Sequence, residues 1–182
     1  GRNTPRVDTV VLIVIDTLRA DHVGCYGSST ATTGNLDALA ARGLRFANAM
    51  TPVPVTLPAV SSLLTGRLPF HHRVRDNERY VLPEDEVTLA ERFRDAGWRT
   101  GAVLGSAILA SDRGISQGFE TYEDAFQPPF PVYHASVEVF TEEFGRTQRR
   151  ADLVTNLALQ QAKTFGKDPY FLFVHYFDVH SY

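Results

Sequence analysis

Residues 10–15 read Val-Val-Leu-Ile-Val-Ile, an apolar, mostly β-branched run with no polar face. A strand wet on one side needs alternation. An unbroken run is expected of a strand buried on both faces, in a parallel sheet with helices on either side. Two further runs, 100–104 and 170–176, read as buried strands of the same kind. Amphipathic segments fall between them. Residues 35–43 read as a short helix capped by Asn35 and stopped by Gly43. Residues 57–64 read as a helix opening after Thr56, with Pro58 tolerated in its first turn. Residues 88–96 form an amphipathic helix closed by Gly97, and 147–165 a long helix. Residues 44–49 are expected to be a short strand, and 126–131 a Pro-rich loop. Strands alternating with helices predict an α/β fold with a mainly parallel sheet flanked by helices.

The 182 residues suffice for one domain with its own core, and 43% hydrophobic against 21% charged residues is a globular balance. A net charge of −3 gives no electrostatic basis for nucleic acid, or an anionic membrane, as main partner. The single Cys25 leaves no internal disulfide and no thiolate zinc site. No apolar run approaches the roughly 20 residues of a membrane-spanning helix, and no charged-then-apolar leader opens the chain. The chain starts at Gly1 and stops at Tyr182, just past the third apolar run, where a functional loop of an α/β sheet would begin. Both ends are expected of a piece of a longer protein, one placed outside the cytoplasm or anchored to a membrane.

Several side chains carry possible chemistry. Asp16 directly follows the first run. A carboxylate at the carboxyl end of a strand is placed to bind a metal or a substrate; the alternative is a loop or cap Asp. Thr17 beside it is a candidate helix cap. Thr56 is either an ordinary N-cap or a reactive hydroxyl. A helix N-terminus suits a tetrahedral oxyanion, and a metal lowers a hydroxyl's pKa for attack. Asn77 lies in the polar turn Arg-Val-Arg-Asp-Asn, and His180 in Asp-Val-His-Ser-Tyr. Asp178 and His180 read as metal ligands or as a simple hydrogen-bonded pair. His71 and His72 read as solvent-facing loop residues.

The segments VLIVIDTLRADHVGCYG, TGNLDALAARG, TLPAVSSLLTGRLPFHHRVRDN, TLAERFRDAGWRTGAVLG, QGFETYED and FLFVHYFDVHSY follow one another in that order. Together they resemble the N-terminal part of the sulfatase family, within the alkaline-phosphatase-like superfamily, over nearly the whole chain. The resemblance implies that residues 1–182 are the N-terminal portion of one α/β domain, alkaline-phosphatase-like and incomplete at its C-terminus. It implies a metal-dependent hydrolase of phosphate or sulfate esters carried on a small molecule, glycan or lipid. The family's nucleophile pattern C/S-x-P-x-R-x-x-L-L-T-G puts Thr56 at the nucleophile position, in contact with the metal. Asp16 matches the first metal-binding carboxylate. His180 matches the His of D-P-H-x-P-Y, which contacts the substrate anion. Asn77, twenty-one positions after Thr56, matches the Asn that holds a phosphoryl oxygen in related phosphodiesterases and phosphonate monoester hydrolases. The resemblance implies calcium or magnesium, with zinc or manganese in several Thr-nucleophile relatives. The remaining metal ligands are expected beyond Tyr182, so the 182 residues alone are expected to be inactive or nearly so. The stretches PVTLP and RVRDN resemble a bacterial subgroup and imply a downstream helical-repeat domain.

The departures from the family pattern bear on substrate. Thr17 stands where a second Asp is usual, Val60 where an Arg accompanies the nucleophile, and Ser106 and Ile108 where Lys and His grip the sulfate. Sulfatases convert Cys or Ser to formylglycine, and a Thr cannot become that aldehyde because its β-carbon carries a methyl group. Formylglycine hydrate sheds sulfate by collapsing to the aldehyde. A sulfated Thr has no such exit, whereas phospho-Thr opens by attack of water at phosphorus. Fewer cations also suit a singly charged diester better than a dianion. A phospho-group transferase of the same fold is one alternative. A non-catalytic anion-binding relative is another, favoured by Val60, Ser106 and Ile108 and opposed by Asp16, Thr56 and Asn77.

Overall fold

The computed structural model describes residues 7–126 and 148–181. In chain order the elements are β1 (Thr9–Ile15), α1 (Gly34–Arg42), α2 (Thr56–Thr65), α3 (Pro69–His72), α4 (Leu89–Asp95), β2 (Arg99–Val103), β3 (Thr121–Glu123), α5 (Ala151–Phe165) and β4 (Tyr170–Tyr176), with short 3-10 turns between some of them. The four strands form one sheet in the order β1-β4-β2-β3, and every pairing is parallel. β1 and β4 run in full register from Thr9 opposite Tyr170 to Ile15 opposite Tyr176.

β4 is the axis of the core. Phe171 and Phe173 face a cluster that includes Leu57 and Leu64 of α2, Leu104 and Ile115. Phe93 of α4 stacks on Phe171 at 4.7 Å. On the opposite face Leu172 and Val174 pack with Val103 of β2 and with Val154 and Ala158 of α5. Each such side chain, taken fully out of water, contributes roughly 1.5–3 kcal/mol. The central position of β4 explains why its sequence is apolar on both faces.

Helix boundaries follow local chemistry. Thr88 and Glu91 form a capping box at α4, with Thr88 Oγ1 accepting from Glu91 N–H at 3.1 Å. α2 ends at Gly66, whose φ of 69° is the left-handed conformation glycine adopts without strain.

Some expectations are corrected. β1 is not buried on both faces: Val11 and Ile13 are 46% and 55% exposed, because β1 ends the sheet and α5 packs on β2 and β4. Residues 44–49 form no strand; their apolar members Leu44 and Phe46 are exposed and no ladder partner lies alongside among the described residues. α1 begins at Gly34 behind Thr33, so Asn35 sits inside the first turn and does not cap it. The long helix starts at Ala151, after Gln148 makes an antiparallel bridge with Ser106; residue 147 lies outside the described residues. Of the 126–131 loop only Phe126 is described, and it is irregular. The short elements α3 and β3 are additions to the expected set.

Candidate active site

The site is built at the carboxyl ends of β1 and β4. Asp16 N–H donates to Tyr176 O at 2.9 Å, which carries the ladder one residue past β1 and sets Asp16 at the sheet edge. Thr17 then takes a φ of 58°, a left-handed conformation that is unfavourable for a β-branched residue. Its hydroxyl donates to Val179 O at 3.3 Å, joining the turns that follow the two strands.

Thr56 is the first helical residue of α2, and the extended Val55 occupies the cap position. The Thr56 hydroxyl does not cap the helix. It donates to Asp16 Oδ2 at 2.8 Å. Thr56 itself is 8% exposed. Capping comes from elsewhere in the chain: Leu57 N–H donates to Asn77 Oδ1 at 2.8 Å. Pro58 has no N–H, and Ala59 N–H donates to Val55 O. Only the Thr56 N–H of this helix start is without a partner among the described residues, so the helix end offers an anion less than its position suggests. With its oxygen engaged, Asn77 has its amide N–H groups left to offer. The turn that holds Asn77 is fixed by Asp76 Oδ1, which accepts from Glu78 and Arg79 N–H at 3.0 and 2.8 Å.

His180 lies in the turn Asp178–Ser181 after β4, its ring stacked on Phe177 at 4.2 Å. Asp178 turns away to another task. Its Oδ1 accepts from Ala151 N–H at 2.8 Å and caps α5. No hydrogen bond joins Asp178 to His180 among the described residues, and the buried Asp178 Oδ2 has no hydrogen-bond partner there.

Asp16, Thr56, Asn77 and His180 line one cavity of about 1150 Å³. Val60 lines it too, as do Arg19 and Arg67. Both arginines are engaged, Arg19 with Asp21 at 2.6 Å and Arg67 with Glu86 at 3.2 Å. Ser106 and Ile108 are not among the lining residues. Ser106 is buried and its Oγ accepts Ile108 N–H at 3.3 Å.

Two histidines differ from what the sequence suggests. His72 is fully buried. Its Nε2 lies 2.9 Å from Ser62 Oγ, which donates to Pro58 O, and its Nδ1 accepts Val74 N–H at 3.2 Å. These partners make Nε2 the protonated nitrogen, and burial holds the ring below the ordinary imidazole pKa. His72 thus ties α3 to the helix that carries Thr56. His71 is exposed, as expected, but lies in α3 and not in a loop.

His175, in β4, escapes the sequence reading altogether. It is fully buried, with Nε2 3.4 Å from Asp16 Oδ2. The one available signal is a lone His inside an apolar run. Burial alone would raise the Asp16 carboxyl, but His175 and the Thr56 hydroxyl outweigh it and hold Asp16 below the usual carboxylate range.

A family model described as Sulfatase matches residues 8–182. The chain is 37% identical over 139 residues to arylsulfatase A from Homo sapiens, covering 74% of this chain and 25% of that protein. The phosphonate monoester hydrolase of Agrobacterium radiobacter shares the fold, with a TM-score of 0.70 at 20% identity over 96% of this chain and 41% of that one. A protein of the alkaline phosphatase superfamily from Vibrio parahaemolyticus aligns at a TM-score of 0.68 and 18% identity, over 97% and 41%. The chain therefore spans about a quarter of the length of arylsulfatase A and under half of these two structures.

Proposed function

The chain belongs to the sulfatase family, and from that premise we propose that it is part of a metal-dependent hydrolase of phosphate or sulfate esters, with Thr56 as nucleophile and a phosphodiester-type substrate favoured. The observation that supports this most is the 2.8 Å bond from Thr56 Oγ1 to Asp16 Oδ2 at the cavity wall. A hydroxyl whose proton already faces a carboxylate has its acceptor in place.

Thr56 Oγ attacks the ester phosphorus, forming one O–P bond as the bond to the alcohol breaks, and its proton passes to Asp16. The alcohol leaves with a proton given by His180. Water then attacks the phospho-Thr phosphorus and gives a proton back to His180, the Oγ–P bond breaks, and Thr56 regains its proton from Asp16. Asn77 N–H groups stabilise the non-bridging oxygens. Among the described residues no group of three or more His, Cys, Asp or Glu comes together. Asp16 and Thr56 nevertheless place two hard oxygen donors side by side, which fits one side of a calcium or magnesium shell better than a zinc site, with manganese intermediate. A divalent cation held by those two residues supplies charge neutralisation and a more acidic hydroxyl. Water and substrate would take further positions of its shell.

The substrate class follows from charge and bond cleavage. Thr56 offers no route through an aldehyde, so a sulfated intermediate would need water to attack sulfur. Val60, Ser106 and Ile108 stand where the family pattern has Arg, Lys and His, and fewer cations suit a singly charged ester, here on a small molecule, glycan or lipid. One observation favours a non-catalytic anion-binding relative as second reading: Val60 stands on the cavity wall where the family carries Arg.

The test is turnover by the natural full-length protein of a nitrophenyl phosphate diester against a nitrophenyl sulfate, with added divalent metals. Diester cleavage is expected to be the faster, and Thr56→Ala to reduce it by at least about a thousandfold. Faster sulfate cleavage overturns the substrate assignment. Anion binding without turnover, unchanged in Thr56→Ala, replaces the enzyme by the binding relative.

A further inference from the structure

His175 occupies the next-to-last position of β4, opposite Val14 of β1. Its ring lies between those of Phe173 and Phe177, at 6.5 and 6.0 Å. Neither ring nitrogen makes a well-formed hydrogen bond among the described residues. Leaving a buried donor in that state is costly, and an apolar ring would fill the position without that penalty. One polar atom stands close, Asp16 Oδ2, 3.4 Å from Nε2. That same oxygen accepts the Thr56 hydroxyl. Asp16 Oδ1 has no partner among the described residues.

We propose that His175 is a positioning residue for Asp16: from the buried side its Nε2 holds Oδ2 beside Thr56 and leaves Oδ1 to the cavity, ready for a cation. The inference rests on the reading of Asp16 as a metal carboxylate. A carboxylate near a fixed N–H loses the rotation that would otherwise compete with metal binding, and groups behind a ligand commonly change metal affinity 10–100-fold, an order-of-magnitude range. The position also explains why a costly polar ring sits in an otherwise apolar strand.

The experiment is calorimetric titration of the natural full-length protein with Ca²⁺, and with Mn²⁺ as second probe, alongside thermal unfolding without metal. Wild type is expected to bind. His175→Phe keeps an aromatic ring and should weaken binding by about tenfold or more, while Tm stays level or rises. His175→Gln keeps an N–H donor and should bind within about threefold of wild type, on the order of the donor's retained effect; it also carries the test if His175→Phe does not fold. Wild-type affinity in His175→Phe, or a weak His175→Gln with normal Tm, overturns the positioning role. A fall in Tm with unchanged affinity makes His175 a core residue only. A wild type that binds neither cation removes the metal reading of Asp16 itself, a separate failure from that of His175.

Discussion

In the proposed function Asn77 divides one side chain between two tasks. Its oxygen accepts Leu57 N–H and caps α2, and the proposal assigns its nitrogen, on a residue that lines the cavity, to the substrate anion. The two tasks separate by substitution. Asn77→Asp keeps an acceptor at the helix start, where a negative charge is also favourable, but replaces the donor by a charge facing an anionic ester. It should leave the urea midpoint close to wild type and lower diester turnover by about a hundredfold or more. Asn77→Ala should lose the same turnover and about 1 kcal/mol of stability as well. Equal turnover in Asn77→Asp and wild type would assign Asn77 to the helix cap alone. The paired design matters because a loss of activity in Asn77→Ala by itself could come from a displaced Thr56.

At the scale of elements, helices are held at their starts by residues distant in sequence. Asp178, in the turn after β4, caps α5 through Ala151 N–H. Removing that acceptor in Asp178→Ala should destabilise the chain by about 1 kcal/mol, or roughly 2–4 °C in Tm for a chain of this size. Asp178→Asn should retain most of it, and calcium affinity should be unchanged in both, since Asp178 faces the helix. Weaker calcium binding in Asp178→Asn would return Asp178 to the metal site. This arrangement explains which elements were legible. Local signals located β1, β2 and β4 by apolar runs, α2 by the run opening after Thr56 with Pro58 in its first turn, and α4 by an amphipathic run closed by Gly97. Sequence-local reasoning could not see that α2 is capped from Asn77 and α5 from Asp178. It also misjudged residues 44–49, whose Leu44 and Phe46 alternate like a strand but meet no ladder. β3, three residues long, is defined by its register with β2 and not by its own composition.

On the scale of the whole molecule, parallel topology gathers the site. Asp16 and His180 are far apart in sequence, yet β1 and β4 are neighbours and end together, so both reach one cavity. That much was legible from strand ends and family pattern. The pairing of Arg19 and Arg67, and His175 behind Asp16, depend on side-chain placement and were not. The same topology leaves β1 at the end of the sheet with Val11 and Ile13 half exposed. A strand edge with no ladder partner among the described residues, next to an apolar face, is a template for association between copies. The isolated 182-residue chain should therefore self-associate as concentration rises, which sedimentation velocity would show. Ile13→Lys should suppress that association by placing a charge on the strand. It should change stability by only about 0.5 kcal/mol, because Ile13 is already 55% exposed and does not line the cavity. A wild-type chain that stays monomeric across the range would mean that the β1 face is not a sticky edge. Association that survives Ile13→Lys would place the contact elsewhere, with the exposed Leu44, Phe46 and Met50 next to be changed.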